Sequence, residues 1–416
     1  MRRTIFLSLL LAPLMMMAQS KVTDPYAGVK RAGLDTAYFL RIDSLCNSGV
    51  SRQIYPGCQV LVAYRGNVIY LRGYGRQTYD KSSPAINTKT VYDLASLTKV
   101  SATTFALMKL YDEKKIALDD PLSKYLPYLK GTNKSNITIR QAMSHIARLK
   151  ASDFYWKKVG AKCTERSLNA KVDCEECRQQ VLNMIAKSEL NKEAKYVYSD
   201  LGFILLGDLV ERVGGKSLDQ YVAENFYRPL GMTSTTFRPR LAGMDTLRIA
   251  PTEIDNYYRH RLLRGEVHDQ NCASMGGVAG HAGLFSTSHD LWKLYQMYLD
   301  SGSFKGQTLL SPTTTTTFNK QYFLGQGCRR ALGFDKPSAK PHKGGSTAPE
   351  VSQLSFGHTG FTGTMVWCDP KYDLVYIFLS NRTYPDSHAA NKLASSHLRQ
   401  EIQSVVYQAI LHPKKK

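Results

Sequence analysis

Hydrophobic and polar positions along the chain follow two different rhythms. Cys58 to Tyr64 and Asn67 to Tyr74 are β-rich runs separated by Arg65-Gly66, which predicts a hairpin over residues 58 to 75. A second hairpin signal lies near the other end, where Thr364 to Cys368 and Leu374 to Leu379 flank the turn residues Asp369-Pro370-Lys371-Tyr372-Asp373. Between them the rhythm is helical. Ser96 to Lys114 carries Val100, Phe105, Leu107, Met108 and Tyr111 at helical spacings, Asp119-Asp120-Pro121 opens another helical turn, and Ile137 to Met143 begins a further helix. The apolar run Leu201 to Val210 predicts a buried helix closed by Gly214-Gly215, and a terminal helix is expected from about His388 to Leu411. Strands at both ends and helices between predict an α+β fold. The terminal segments should join in one mostly antiparallel sheet flanked by helices, with residues of roughly 100–350 forming a helical second lobe and a cleft between the two.

The first apolar stretch changes the picture of where the chain acts. Ile5 to Ala18 follows Arg2 and Arg3 and is too short to span a bilayer, and Ala18-Gln19-Ser20 offers small residues for a signal peptidase. Residues 1–20 therefore read as a signal peptide cleaved after Ser20, residues 21–411 as a single enzymatic domain, and residues 412–416 as a basic tail. A periplasmic or secreted location is expected, with no transmembrane segment in the mature chain. Hydrophobic residues at 43% and charged residues at 21% exclude a fibrous or disordered chain. The formal charge of +21 falls by two when Arg2 and Arg3 leave, and a surface that basic attracts anions. With an export signal and no nucleic-acid-binding pattern, anionic wall polymers fit better than nucleic acid; the alternative is a solvated lysine-rich face. Eight cysteines in an exported chain make disulfides a live reading. Cys163, Cys174 and Cys177 could form a local disulfide, stay as thiols or supply part of a zinc site, although no fourth ligand is nearby. Cys46, Cys58, Cys272, Cys328 and Cys368 sit in apolar or small-residue contexts and read as buried small hydrophobes.

Chemistry concentrates in three short elements. In Asp93-Leu94-Ala95-Ser96-Leu97-Thr98-Lys99, a serine at a helix start and a lysine three residues on share one helix face, placing a hydroxyl beside an amine. Serine is a poor nucleophile until something takes its proton, and a lysine does so only where burial or neighbouring cations lower its pKa. The helix start also presents the Ser96 N–H to a developing oxyanion. Tyr198-Ser199-Asp200 follows just before the buried helix, and His358-Thr359-Gly360 enters the final hairpin.

These elements, in this order, resemble the serine β-lactamase and penicillin-binding-protein superfamily, with its Ser-x-x-Lys and Lys-Thr-Gly signatures. The likeness is to the branch with class C β-lactamases, D-Ala-D-Ala carboxypeptidases and related esterases and amidases, where the second element begins with tyrosine. The resemblance implies that Ser96 forms an acyl-enzyme while Lys99 and Tyr198 handle its proton, with no metal and no cofactor. It also implies that the Phe361 N–H completes the oxyanion hole, and that His358 and Thr359, beside Gly360, line the cleft and contact a substrate carboxylate or acyl group. Asp200 stands where the family often has Asn; an ionised carboxylate only accepts hydrogen bonds, so it favours Lys99 as a cation or a substrate N–H. A stretch holding His268, Asp269 and Asn271 precedes the glycine-rich loop Gly276 to Ser286, which contains His281. It resembles a subgroup active in peptidoglycan recycling. His268, Asp269, Asn271 and His281 are expected to contact substrate or to stabilise the loop; metal ligation is the further alternative for His268, Asp269 and His281. The expected function is hydrolysis of an amide in peptidoglycan or muropeptides, with the MurNAc–L-alanine bond leading. A D-Ala-D-Ala carboxypeptidase, a β-lactamase and an esterase share the machinery, and a non-catalytic penicillin- or wall-binding module is the alternative of another class.

Overall fold

The computed structural model describes residues 24–338 and 345–413. The expected signal peptide and the last three lysines lie outside the described residues. Strands β1 (Gly57–Tyr64) and β2 (Asn67–Gly75) form the first hairpin. Arg65 and Gly66 both take left-handed φ values, 51° and 72°, which is the turn geometry that matches the twist of two antiparallel strands. Three very short strands follow, β3 (Tyr92–Asp93), β4 (Thr236–Phe237) and β5 (Leu284–Ser286), and they pair in the order β3-β5-β4. The second hairpin ladder consists of β6 (Phe356–Thr359), β7 (Met365–Asp369) and β8 (Leu374–Ser380).

Both ends of the chain meet in one five-stranded antiparallel sheet of order β6-β7-β8-β1-β2. In its centre β1 pairs with β8 from Cys58 opposite Ser380 to Tyr64 opposite Leu374. Every residue of these two strands is buried, because the period-two alternation delivers side chains to two different cores. Val60, Val62, Tyr376 and Phe378 pack against Phe39 and Ile42 of helix α1 (Thr36–Ser51) and against the C-terminal helix. Leu61, Ala63, Val375 and Ile377 face the opposite core, built on α2 (Thr104–Asp112), α3 (Asp200–Gly214) and α4 (Ser288–Leu299). The C-terminal helix is α5 (Leu398–Leu411). Truncating one of these core side chains to alanine costs about 2–5 kcal/mol.

Several expected elements change shape. The helix predicted from Ser96 begins at Leu97 and opens with a π-helical turn, Lys99–Thr103, before α2. Gly215 closes α3 in the left-handed conformation, φ 69°, as its sequence suggests. The terminal helix starts later than expected: a short turn, Lys392–Ser395, is separated from α5 by His397 at φ 55°. The five-residue gap between buried Leu393 and Leu398 is its trace in the apolar pattern. The region between the hairpins is mainly helical but also holds the β3-β5-β4 sheet, whose strands are too short to register as a period.

None of the eight cysteines is joined in a disulfide. Cys46, Cys58, Cys272, Cys328 and Cys368 are fully buried among apolar groups, and Cys163 faces Cys177 with their sulfurs 2.6 Å apart. Among the described residues no helix is long and apolar enough to cross a membrane.

Candidate active site

The turn before Ser96 is held under strain. Ala95 sits at φ 47°, a left-handed value unusual for a residue with a Cβ, and Asp93 pins both sides of it. Asp93 Oδ1 accepts from the Ala95 N–H at 2.8 Å, and Oδ2 accepts from the His268 N–H at 2.6 Å. Burial pushes the Asp93 carboxyl up. The Ser96 side chain emerges partly exposed, while Lys99, one helical turn on, is completely buried.

Lys99 is saturated. Its ammonium donates to Ser96 Oγ at 3.0 Å and to the His281 carbonyl at 3.0 Å, and it pairs with Asp200 Oδ1 at 2.7 Å. An ammonium has three donors, and these acceptors take all of them. Burial pushes the Lys99 pKa down, but the Asp200 charge and then Tyr198 outweigh it and the net shift is up. Lys99 is therefore a cation, as Asp200 implies, and not the lowered-pKa base that a lone Ser-x-x-Lys reading calls for.

Tyr198 precedes α3, and the local backbone is tied down by the Ser199 N–H donating to His145 Nδ1 at 3.0 Å. Its ring lies 4.5 Å from the His145 ring, 5.8 Å from the His358 ring, 5.1 Å from Lys99 Nζ and 5.1 Å from the Arg330 guanidinium carbon. The Tyr198 hydroxyl is buried and has no hydrogen-bond partner within 3.5 Å among the described residues.

His358, on edge strand β6, donates from Nδ1 to the Thr359 carbonyl at 2.7 Å, which leaves Nε2 as a buried acceptor without a partner. Burial, then the charges of Arg330 and Lys99, push His358 well below the usual histidine range. With its N–H engaged, the neutral ring offers the cleft an acceptor, Nε2, on the wall where contact with a substrate carboxylate or acyl group was expected. Thr359 stands beside it on the cleft wall. Gly360 is required by close approach: a Cβ there would lie 2.4 Å from the Leu94 carbonyl oxygen and 2.2 Å from Thr364 Oγ1. Thr362 Oγ1 donates to the Asp93 carbonyl at 2.7 Å, which fixes this turn against the Ser96 turn. Neither the Ser96 nor the Phe361 backbone N–H is engaged in a hydrogen bond among the described residues.

Two pockets meet at Ser96, Tyr198 and Phe361. One, of about 370 Å³, is lined by Arg330, Arg382 and Arg399 along with His358 and Thr359. Burial lowers the Arg382 and Arg399 pKa values to about 10, so both stay charged near neutrality. Neither has a carboxylate partner among the described residues; Arg399 Nη1 donates to the Thr364 carbonyl at 3.0 Å, and Arg382 lies 4.4 Å over the exposed Phe361 ring. The other pocket, of about 360 Å³, is lined by Asp200, His268, Asp269 and His281. Asp269 Oδ1 accepts from His281 Nε2 at 2.8 Å and from the Cys272 N–H at 2.7 Å, while His268 Nε2 lies 3.0 Å from Glu253 Oε2. The Asp269 carboxyl is held low against its burial by His281, and Glu253 falls to about 2 against its burial through His268.

Asn271 does not reach either pocket. It is buried, its Oδ1 accepts from the Trp156 N–H at 3.1 Å and its Nδ2 donates to the Asp153 carbonyl at 2.9 Å, so of the two roles expected for it, substrate contact or loop-stabilising hydrogen bonds, these bonds are of the second kind and tie it to the 150s loop. His268, Asp269 and His281 do not converge as metal ligands. Among the described residues the group with that spacing is Glu253, Asp386 and His388, of which Glu253 is already bonded to Ser387 and paired with His268. Sequence reasoning missed Asp93, His145, Arg330, Arg382 and Arg399 as parts of the site. Asp93 could have been flagged by its place just before the Ser96 turn; the arginines carry no local signal.

A partly exposed serine on a strained turn, backed by a buried lysine cation, a buried phenol and two unused N–H groups, defines a serine hydrolase working by acyl transfer. The chain belongs to the β-lactamase family, which it matches over residues 42–399. It is 32% identical to an Escherichia coli K12 protein provisionally named D-alanyl-D-alanine carboxypeptidase, over 92% of each chain. A Salmonella typhimurium protein with the same provisional name is 32% identical, over 88% of this chain and 87% of its own. Among solved structures, the fold is shared with the octameric penicillin-binding protein homologue from Pyrococcus abyssi, at TM-score 0.62 and 19% identity over 89% of this chain and 80% of that one. It is also shared with EstCE1, a hydrolase with promiscuous acyltransferase activity, at TM-score 0.66 and 19% identity over 91% and 100%.

Proposed function

We propose that this serine hydrolase is a carboxypeptidase acting on D-alanyl-D-alanine termini of peptidoglycan stem peptides, outside the inner membrane, with residues 21–411 as one hydrolase domain. The observation that carries the reading is the pair of uncompensated guanidinium groups, Arg382 and Arg399, in the pocket that opens from Ser96. A carboxypeptidase substrate has a free carboxylate one residue beyond the scissile carbonyl, and guanidinium groups are suited to hold it. A MurNAc–L-alanine amidase substrate has no free carboxylate on the residue that directly follows its scissile bond. The names of the 32% identical relatives point the same way.

In this reading Ser96 Oγ, held by Lys99, attacks the carbonyl and gives its proton to Tyr198. The Ser96 and Phe361 N–H groups receive the oxyanion. Tyr198 then protonates the departing amine, D-alanine leaves with its carboxylate on the arginines, and water attacks the acyl-enzyme with Tyr198 taking its proton and returning it to Ser96 Oγ as the acyl–oxygen bond breaks. Thr359 hydrogen-bonds the same carboxylate, Lys99 stays a cation throughout, and Asp200 holds it so. The test is mass spectrometry of purified muropeptides after incubation with the protein. Loss of one alanine residue from pentapeptide fragments is expected; release of intact stem peptide from MurNAc would replace this reading with the amidase.

A further inference from the structure

We propose that Arg330 supplies the uncompensated positive charge that lets Tyr198 carry the serine proton, which makes it a positioning residue for the reaction. The proposal deepens the functional reading by resting on its assignment of Tyr198 as proton carrier. A phenol ordinarily titrates near 10, so a tyrosine can accept a proton near neutral pH only where unopposed positive charge favours its anion.

Two cations stand against Tyr198, and Arg330 is the one whose charge is less fully answered. Lys99 lies 5.1 Å from the ring centre and its charge also favours the phenolate, but Asp200 at 2.7 Å offsets part of it. His358 is a neutral acceptor. His145 accepts the Ser199 N–H on Nδ1 and is pushed well below the usual range by burial, then by Arg330 and Lys99. Tyr196 is uncharged and its hydroxyl accepts from Arg330 Nε at 2.8 Å, which fixes the guanidinium in place. Arg330 is itself 5.1 Å from the Tyr198 ring centre and only 7% exposed. Its nearest carboxylate, Asp335, is 3.9 Å away and is already held by Arg329 through two contacts of 2.9 Å. Two guanidiniums share one carboxylate, and the surplus charge faces the tyrosine. A cation within about 6 Å of an aromatic face is attracted to it, and more strongly to a phenolate than to a phenol.

The experiment uses the full-length protein and a neutral activated ester, which has no carboxylate for the pocket to hold. Arg330→Gln should lower kcat/KM on the ester at least tenfold, and the acidic limb of its pH profile should move up by about one unit. Arg330→Lys, which keeps the charge, should recover most of both. Asp335→Asn removes the one carboxylate paired with Arg330 among the described residues, without touching Arg330, and should move the limb to lower pH; this variant keeps the proposal open to refutation even if Arg330→Gln does not fold. A limb that stays in place in Arg330→Gln, or Arg330→Lys behaving like Arg330→Gln, would overturn the proposal. So would a loss confined to KM for peptides with a free carboxylate, since Arg330 would then be a substrate contact. Ester turnover is independent of which peptide bond is natural, so failure of the carboxypeptidase reading would show as intact ester chemistry with no loss of alanine from muropeptides.

Discussion

On one side of Ser96 the cleft is lined by Arg330, Arg382 and Arg399, and on the other by Asp200, Asp269, His268 and His281, in pockets of about 370 and 360 Å³. The two sides are matched in size and opposed in charge, but the more useful difference lies in how their charges are answered. On the carboxylate side each acid has a partner in the protein: Asp200 has Lys99, Asp269 has His281, and Glu253 behind them has His268. Those groups hold the nucleophile and its loop in shape. On the arginine side Arg382 and Arg399 have no carboxylate among the described residues. A partly buried charge without an internal partner costs stability, and it is tolerated where a ligand completes it. In the carboxypeptidase reading proposed above, the carboxylate side builds the site and the arginine side binds with it.

The deepest cut through that comparison is at the point where the pockets meet. Ser96→Ala should lower kcat/KM by 10³-fold or more on every substrate, with the melting temperature unchanged, because only one hydroxyl leaves a partly open cleft. Activity within tenfold of the unsubstituted protein would mean that the two pockets flank something other than the reacting centre.

The meeting point was also what the sequence disclosed best. Ser96, Lys99, Tyr198 and His358 belong to short motifs whose spacing reflects local geometry, and both hairpins and the buried helix of Leu201 follow from periodicity. The arginine side left no such trace. Arg330, Arg382 and Arg399 come from a loop, from the end of β8 and from the start of α5, and nothing short of tertiary structure distinguishes them from the other basic residues of a chain with 55. The π-helical turn at Lys99 was illegible for a different reason: it keeps the apolar side chains buried, so the pattern of hydrophobic positions does not change. His358 shows the limit of motif reading, since its place was legible and its protonation was set by burial and then by Arg330, neither of which was.

A narrower test separates binding charge from building charge. Arg382→Gln or Arg399→Gln should weaken turnover of a peptide with a free C-terminal carboxylate by about 10–100-fold, mostly in KM, as expected for losing a charged hydrogen bond of about 1.5–3 kcal/mol. Amidating the peptide C-terminus should produce a similar loss, and the two changes together should cost little more than either one. Fully multiplicative losses would place the carboxylate elsewhere.

On the building side, Asp200→Asn should act first on stability. It leaves the Lys99 ammonium buried with its counter-charge removed, and burial then pulls the lysine pKa down. A destabilisation of about 1–3 kcal/mol is expected, below the 3–5 kcal/mol of a fully buried pair because the Asp200 side chain is 23% exposed. Urea unfolding at pH 7 would measure it. An Asp200→Asn protein as stable as the original would show that the pair contributes no net stability and that Asp200 is free to face substrate.

The last effect is a pH dependence that the two sides should display in different windows. His145 and His358, around Tyr198 and facing the arginine side, are held neutral with folded pKa values well below the ordinary 6.5. Between those lowered values and 6.5 the unfolded chain binds more protons than the folded one, so stability rises with pH across that interval. The contribution is complete above about pH 6.5 and is lost as the pH falls, with a slope of up to about 1.4 kcal/mol per pH unit for each histidine. Glu253, on the carboxylate side, works lower: its pKa of about 2 is below the ordinary 4.5, so its contribution is present above 4.5 and disappears only as the pH falls from there toward 2. Acidification from pH 7 to 5 should therefore weaken the fold through the histidines while Glu253 stays ionised. His145→Gln, which cannot take up a proton, should flatten the loss between pH 6.5 and 5, and Glu253→Gln should leave that slope alone. Chemical unfolding at half-unit pH steps resolves the two. A slope unchanged by His145→Gln would mean that His145 is protonated with little penalty, and the field of Arg330 and Lys99 at Tyr198 would then be weaker than their positions imply.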